Sequence, residues 1–409
     1  MRWRSSDLNH FVSRSDSLGG PGSPGCQELW STFSYEPTHR VNQDLDPYSE
    51  AYVAEQLILY EELSGRTYNV QENERTDFNV DLHIAAANPY NHPDPGGLAV
   101  HLQRLSRALR YARPRRGEIL LDMGCGWGLS SELAAYLGVN VVAVDVNPSF
   151  VRLVTERAKR SGQAISAVAS TFESFVPSEP VDIALFYECL HHAVRPWVVV
   201  DHLAAALKQG GRLVMAGEPI NDHWWVHWGM RLDPISVYCI RKFGWFESGW
   251  SIGFVQQMLH RSGFTPRTYH DSDLDIGYAI VAEKSSPHQV NGNLVAELFN
   301  VTGCACDGSH LIFTGVGSIE LLFPLKTSKA VINVVSFRNR DLRVVILSDG
   351  VLLFKGDMRP GRTAIEIPCL RDAAHVQFEV ERWVPDEEIC NGDGRTLGLH
   401  LENIVFEPC

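Results

Sequence analysis

Two apolar runs near the middle of the chain end in acid–base groups. Val181 to Phe186 leads into Tyr187, Glu188, Cys189, Leu190, His191 and His192, and Gly211 to Ala216 leads into Gly217 and Glu218. An imidazole accepts a proton near neutral pH, and a carboxylate can orient it. A weakly acidic hydroxyl needs such a base before it can act as a nucleophile. A single histidine is more often a hydrogen-bonded structural residue, but two adjacent ones at a strand end favour one of them as a base. His192 is the first choice and His191 the second. Glu218 and Glu188 are expected to orient the base or to bind an acceptor hydroxyl. The two carboxylates could also hold a divalent ion, but nothing in the pattern requires one, and no metal is assigned.

A second constellation lies upstream. Ile119, Leu120 and Leu121 read as a buried parallel strand. Asp122 follows, then Gly124, Gly126 and Gly128, which allow a sharp turn and close approach to a ligand. Leu129 to Leu137 continues at helical spacing and stops at Gly138. The dinucleotide fingerprint requires a third glycine where Leu129 stands. Asp122 would repel a pyrophosphate and suits an ammonium group. Asp145 ends the strand Val141–Asp145, where a carboxylate accepts hydrogen bonds from ribose hydroxyls. An amino acid joined to a nucleoside without phosphates satisfies both acids, and S-adenosyl-L-methionine is such a molecule.

Asp122, the three glycines and Asp145 together resemble the first motif and the following acidic strand end of the class I S-adenosylmethionine-dependent methyltransferases. The resemblance covers residues 116 to 285. It implies cofactor contacts from Asp122, Gly124, Cys125, Gly126, Asp145, Val146, Thr171, Phe172 and Tyr187. The family often has Asp where this chain has Ser170, so the adenine contact is expected to shift toward Thr171 and Phe172. Leu190, His191 and His192 resemble a segment of sugar and small-molecule O-methyltransferases in which a histidine is the proposed base. An insertion after the fifth strand holds Trp224, Trp225, Trp228, Trp245 and Trp250. Indole rings can pack against the apolar faces of sugars, so the first four are expected to bind substrate. The segment from Trp228 to Glu247 resembles a feature of bacterial glycan-associated methyltransferases. His223 and His227 have the spacing of a zinc-protease pair, but Trp224 stands where that pattern needs Glu.

Alternating strands and helices position these groups. Asn147 and Pro148 are an N-cap and first helical residue. Ile165–Ala169, Val181–Tyr187, Gly211–Gly217 and Gly277–Ala282 read as further strands, and Ser251 to Ser262 as a helix. The expected fold is α/β, with a Rossmann-like seven-stranded methyltransferase sheet, an N-terminal helical cap and a C-terminal all-β sandwich. The expected divisions are a flexible Ser/Gly/Pro-rich leader (1–45), a helical cap (46–115), the methyltransferase domain (116–285) and the sandwich (290–409). Ser348, Asp349 and Gly350 signal a hairpin inside the last. Its end, from Trp383 to Gly398 with Asp393, Gly394 and Arg395, resembles a β-domain appended to bacterial glycosyltransferases and glycan-modifying enzymes.

Composition narrows the partners. The 409 residues carry a formal net charge of −13 without a strong basic cluster, which disfavours nucleic acid. Nine cysteines form no C-x-x-C pair, and Cys304 and Cys306 lack a second pair for zinc. No long apolar stretch or apolar leader is present. These features suit a reducing, cytoplasmic setting. The expected activity is O-methylation of a sugar or glycan-precursor hydroxyl, with a small-molecule or glycan acceptor such as a nucleotide sugar or lipid-linked saccharide. Natural-product or lipid O- or N-methylation is the enzymatic alternative, and a non-catalytic glycan-binding scaffold is the alternative of another class. A nicotinamide-dependent oxidoreductase is disfavoured by Leu129 and Asp122. A homo-oligomer is left open.

Overall fold

The computed structural model describes residues 2–90, 94–223, 225–285, 288–390 and 392–409. They form two compact units, Met1–Val255 with Arg267–Ala282, and Gln256–Pro266 with Glu283–Cys409.

The first unit is built on a seven-stranded sheet. Its strands are β1 (Ile119–Met123), β2 (Asn140–Asp145), β3 (Ile165–Ala169), β4 (Val181–Tyr187), β5 (Leu207–Ala216), β6 (Phe264–His270) and β7 (Tyr278–Lys284). Their order is β6-β7-β5-β4-β1-β2-β3. β3, β2, β1, β4 and β5 pair in parallel. β1 and β4 are almost wholly buried, which explains their apolar runs. The chain moves outward from β1 through β2 to β3, then returns to lay β4 on the other side of β1. The crevice at the carboxyl ends of β1 and β4 is therefore the switch point where ligands of such sheets bind. β6 was not evident in the sequence, because Pro266 and mixed polarity interrupt its pattern.

Helices close the faces. Pro148–Ser161 begins with Asn147 accepting from the Ser149 amide and ends at Gly162 with φ 67°. Pro95–Ala112 begins with Asp94 accepting from the amides of Gly96 and Gly97. Leu105 and Leu109 from that helix, Leu120 of β1, Val141 of β2 and Ile183 of β4 meet in the core.

The first 45 residues differ from the expected flexible leader. They contain helices Leu8–Ser17 and Pro24–Ser31 and a short parallel pair, Arg2–Trp3 with Ser34–Tyr35. The aromatic residues outweigh the Gly/Pro-rich centre. Phe11 is fully buried and packs against Phe33 with ring centroids 4.6 Å apart and tilted, and Trp30 meets Tyr238 at 5.7 Å. Between β5 and β6, Trp228–Met230 pairs antiparallel with Ser248–Trp250 around helix Pro234–Phe243.

The second unit carries a nine-stranded antiparallel sheet. The expected sandwich is one continuous sheet curled into a near-barrel. Its outermost strands, Val351–Met358 and Gly361–Pro368, are joined by only Arg359 and Pro360, so the two ends of the sheet must curl toward each other. The expected hairpin is present. Ser348 pairs with Val351 across Asp349 and Gly350, whose φ values are 49° and 79°, as this turn type requires. Alternate residues fill one core with Phe313, Ile332, Ile346, Phe378 and Phe406. Inside this unit His260 donates from Nε2 to the Leu322 carbonyl at 2.9 Å, and His288 Nε2 lies 3.0 Å from His260 Nδ1. Among the described residues, no helix is long and apolar enough to cross a membrane.

Candidate active site

The glycine turn follows from local geometry. Gly124, Gly126 and Gly128 have φ values of 66°, 47° and 86°. A Cβ on Gly124 would meet Cys189 at 2.9 Å and Phe172 at 3.1 Å, and one on Gly128 would meet Val154 at 2.7 Å. The turn is tied to β2, since the Cys125 amide donates to the Val144 carbonyl at 3.0 Å. Asp145 holds it from the side. One carboxylate oxygen accepts from the Gly126 amide and the other from the Asn147 amide, each at 2.8 Å. Each oxygen keeps a lone pair for a further donor. Burial raises the Asp145 pKa, the two amides pull it back, and it settles at about 6.

The turn borders a cavity of about 330 Å³. Gly124, Cys125, Gly126, Asp145, Val146, Thr171, Phe172 and Tyr187 all line it, as does Ser170. Asp122 does not. Its Oδ2 accepts from the hydroxyls of Ser130 and Ser131, at 2.7 and 2.5 Å, while Oδ1 is buried without a partner. These serines open the helix Leu129–Tyr136 and draw the carboxylate behind the turn. Burial lifts its pKa to about 6 against the two hydroxyl bonds. Asp122 therefore corrects the direct contact expected of it: it reaches the cavity only through Ser130, which does line the wall.

The four acid–base candidates separate into two roles. His192 and Glu188 line the cavity; His191 and Glu218 lie behind it. Glu218, 1% exposed, accepts from the amides of Cys189 and Leu190 with one oxygen, at 3.1 and 3.0 Å. Its other oxygen accepts from the His191 amide at 3.2 Å and from His191 Nδ1 at 2.9 Å. His191 Nε2 faces Glu247 at 3.5 Å. Burial alone would lower the His191 pKa, but Glu218 and Glu247 outweigh it and raise it to about 9. His191 is thus a protonated strut. Glu218 holds the short turn Leu190–His192 rather than an acceptor.

His192 projects to the cavity beside Trp245, with ring centroids 6.0 Å apart and perpendicular. Its Nδ1 lies 3.3 Å from Glu74 Oε2, close enough for a charge contact although not aligned as a hydrogen bond. The other Glu74 oxygen accepts from the Phe246 amide at 2.8 Å, which fixes the carboxylate. Glu188 has φ 53°, unusual for a residue with a Cβ. Its carboxylate pairs with Arg104 at 2.7 Å. Burial opposes its charge, yet His101 and Arg104 hold its pKa below the usual range.

The tryptophans divide as well. Trp245 lines the cavity and stacks on Phe243 at 4.7 Å. Trp228 is fully buried, with Nε1 donating to the Pro47 carbonyl and its own carbonyl accepting from Tyr52. Trp225 covers Gly229, where an added Cβ would meet the indole at 2.7 Å. Neither lines the cavity; the short hairpin turns Trp228 onto the helix Glu50–Ser64, where its carbonyl accepts from Tyr52 and Gln56. Trp224 lies outside the described residues. Glu74, Tyr68, Tyr90 and Trp127 were not anticipated, yet all four line the wall. Trp127 sits among the motif glycines and could have been suspected. The other three precede β1 in a stretch without a periodic signal.

A family model described as a methyltransferase domain matches residues 121–215. A ubiquinone biosynthesis O-methyltransferase from Bradyrhizobium diazoefficiens is 33% identical over 196 residues, covering 44% of this chain and 77% of that protein. The chain belongs to the class I S-adenosylmethionine-dependent methyltransferases. A protein of the same name from Nitrobacter winogradskyi is 29% identical over 197 residues, covering 44% of this chain and 74% of its own length. Solved structures include a magnesium protoporphyrin IX methyltransferase from Synechocystis, with 17% identity, TM-score 0.36, and 46% and 81% coverage of the two chains. The N-methyltransferase NodS from Bradyrhizobium japonicum gives 19%, 0.34, and 50% and 94%.

The methyltransferase cavity fits S-adenosylmethionine on its own features. The side chain missing at Gly124 leaves room between Cys189 and Phe172. Asp145 offers acceptor capacity, and a carboxylate, not a cation, stands behind the turn.

Proposed function

We propose that this methyltransferase acts on a hydroxyl group of a neutral, polyhydroxylated acceptor, a sugar or glycan precursor, with His192 as general base. The observation that carries the reading is His192 on the cavity wall, backed by the anchored carboxylate of Glu74. Gly124, Gly126, Asp145, Val146, Thr171 and Phe172 would hold the cofactor. When bound, S-adenosylmethionine supplies a methyl group made electrophilic by its sulfonium. His192 would take the acceptor proton at a ring nitrogen, and the nearby Glu74 carboxylate would stabilise the imidazolium that forms. Glu218 and His191 would fix the turn on which His192 stands. Tyr68, Tyr90 and Trp245 would exclude water and orient the acceptor, and much of the rate gain would come from that alignment.

Charge supports a neutral acceptor. Glu74, Asp145 and Glu173 border the cavity, Glu188 is paired with Arg104, and no Lys or Arg is among the described lining residues, which disfavours a phosphate or carboxylate beside the reacting hydroxyl. Several carboxylates and tyrosine hydroxyls match the many donors of a sugar. A phenolic acceptor is the second reading, favoured by the relatives named ubiquinone biosynthesis O-methyltransferases.

A transfer assay with methyl-labelled cofactor tests both. Neutral saccharides, nucleotide sugars, lipid-linked oligosaccharides and substituted catechols would be offered side by side. Label on a sugar oxygen, lost in His192→Ala, is expected. Label confined to catechols replaces the sugar reading with the phenolic one. Label on nitrogen alone overturns hydroxyl methylation.

A further inference from the structure

The Asp393–Arg395 segment takes no part in the methyltransferase site, yet it borders a separate cavity of about 490 Å³ within the second unit. We propose that this cavity binds a neutral saccharide, giving the protein a glycan-recognition site apart from its catalytic one.

Three features meet there. Phe337 is 55% exposed, a large apolar ring left in solvent. It stands perpendicular to His400 with centroids 4.7 Å apart, and His310 lies 6.0 Å away. Such a ring offers a platform for the C–H face of a pyranose. Second, the polar rim is pre-arranged. Arg395 donates through Nε and a terminal nitrogen to the two oxygens of Asp393, both at 2.9 Å, and through its other terminal nitrogen to Asp307 at 3.1 Å. Asp393 anchors the guanidinium through three bonds, the Arg395 amide included, and the fork and the Asp307 carboxylate present donors and an acceptor side by side to neighbouring hydroxyls. Third, Trp383 and His400 are 6% and 5% exposed, and Trp383 Nε1 and His400 Nε2 are buried without partners. Each unsatisfied buried polar atom costs free energy, so a small rotation of either ring that turned its nitrogen toward a ligand hydroxyl would be favoured.

The rim is held by backbone. Trp383 and Leu397 exchange amide–carbonyl bonds at 3.1 and 2.7 Å. Gly398 is obligatory, since a Cβ there would lie 2.0 Å from the Phe313 carbonyl. Burial lowers the His400 pKa to about 4, which leaves it neutral near pH 7. Two carboxylates against one guanidinium disfavour a phosphate or an acidic sugar. A small concave pocket with one exposed ring and a few convergent polar groups suits a small ligand.

The test uses the full chain and reads binding without methyl transfer, so it fails or succeeds independently of the acceptor proposed above. The probes are neutral mono- to trisaccharides of glucose, galactose, mannose, rhamnose and N-acetylglucosamine, screened on an array and followed by calorimetry into the ~1 mM range. Phe337→Ala removes an exposed ring and should leave the thermal midpoint unchanged. It should weaken binding at least ~10-fold, as should Asp393→Asn, while S-adenosylhomocysteine binds both variants as wild type. Wild-type protein that binds none of these saccharides, or either variant that binds as wild type, overturns the proposal. So does a preference for sulfated or phosphorylated saccharides over neutral ones.

Discussion

His192 and Asp145 are the residues on which chemistry and cofactor binding can be separated. Removal of the base should slow the chemical step without touching the glycine turn, so His192→Ala is expected to lower turnover by ~10²-fold or more. Its affinity for S-adenosylhomocysteine should stay at the wild-type value. Full turnover in that variant would move the base elsewhere, with Glu188 next, since it alone of the other candidates lines the cavity. Asp145→Ala should do the reverse. Hydrogen bonds to charged groups are worth ~1.5–3 kcal/mol each, and ~1.4 kcal/mol is a factor of ten. Calorimetry with S-adenosylhomocysteine should therefore show at least ~10-fold weaker binding. The raised pKa adds a pH signature. The ionised carboxylate is the stronger acceptor, so affinity should fall as pH drops through about 6. At this scale the sequence named most of the cavity wall around the glycine turn and the histidine proposed as base, because motif spacing is local. It could not find Glu74, whose partner His192 stands more than a hundred residues along the chain.

Among elements, the short turn Leu190–His192 depends on one buried carboxylate. Glu218 satisfies three amides and the imidazole of His191. Glu218→Ala would leave a buried imidazolium without its closest counter-ion, a change that costs ~3–5 kcal/mol in comparable buried pairs. Chemical denaturation should register that loss, and turnover should fall with it as His192 loses its support. The protonated strut also predicts a pH dependence. The folded pKa of His191 is raised to about 9, above its ordinary value of ~6.5. Its stabilisation is complete below ~6.5 and is lost as pH climbs toward 9. The thermal midpoint of the first unit should decline across that window, and a flat profile would exclude the protonated strut. The sequence placed both histidines at the strand end but could not tell them apart. Adjacent residues leave a tight turn in different directions, and only the packing of Glu218 and Glu247 decides which one is buried.

For the whole molecule, the division into two units sets the stability expectations. Gln256–Pro266 belongs with Glu283–Cys409, not with the segment that precedes it in the chain. His260, fully buried, is bonded to Leu322 and to His288. A chain ending at residue 285 would leave that segment without its unit, and should be less soluble and melt lower than the full chain. An unchanged midpoint would show that the cut falls outside the cooperative unit. The same histidines predict acid sensitivity. Burial lowers His260 and His400 to about 4 and pushes His288 well down. Folded-state pKa values below ~6.5 mean stability that is present above that pH and lost as pH falls toward 4. Hydrogen exchange of the strands in the second unit should accelerate over that range.

The sequence by itself determined the alternating strand–helix order, the glycine turn, the acid that ends β2 and the all-β character of the last third. Each of these is written in short-range periodicity or in backbone conformations few residues can adopt. Tertiary structure alone decided the rest. The apolar side chains of the first 45 residues became core instead of leader because Phe11 and Trp30 found Phe33 and Tyr238. Trp228 became core and Trp245 cavity wall because a hairpin turned one inward. Asp122 was drawn behind the turn by two serine hydroxyls. For the aromatic residues the outcome depends on which distant surface a side chain meets, and for Asp122 on how the following helix folds back over the strand, and neither leaves a trace in local spacing.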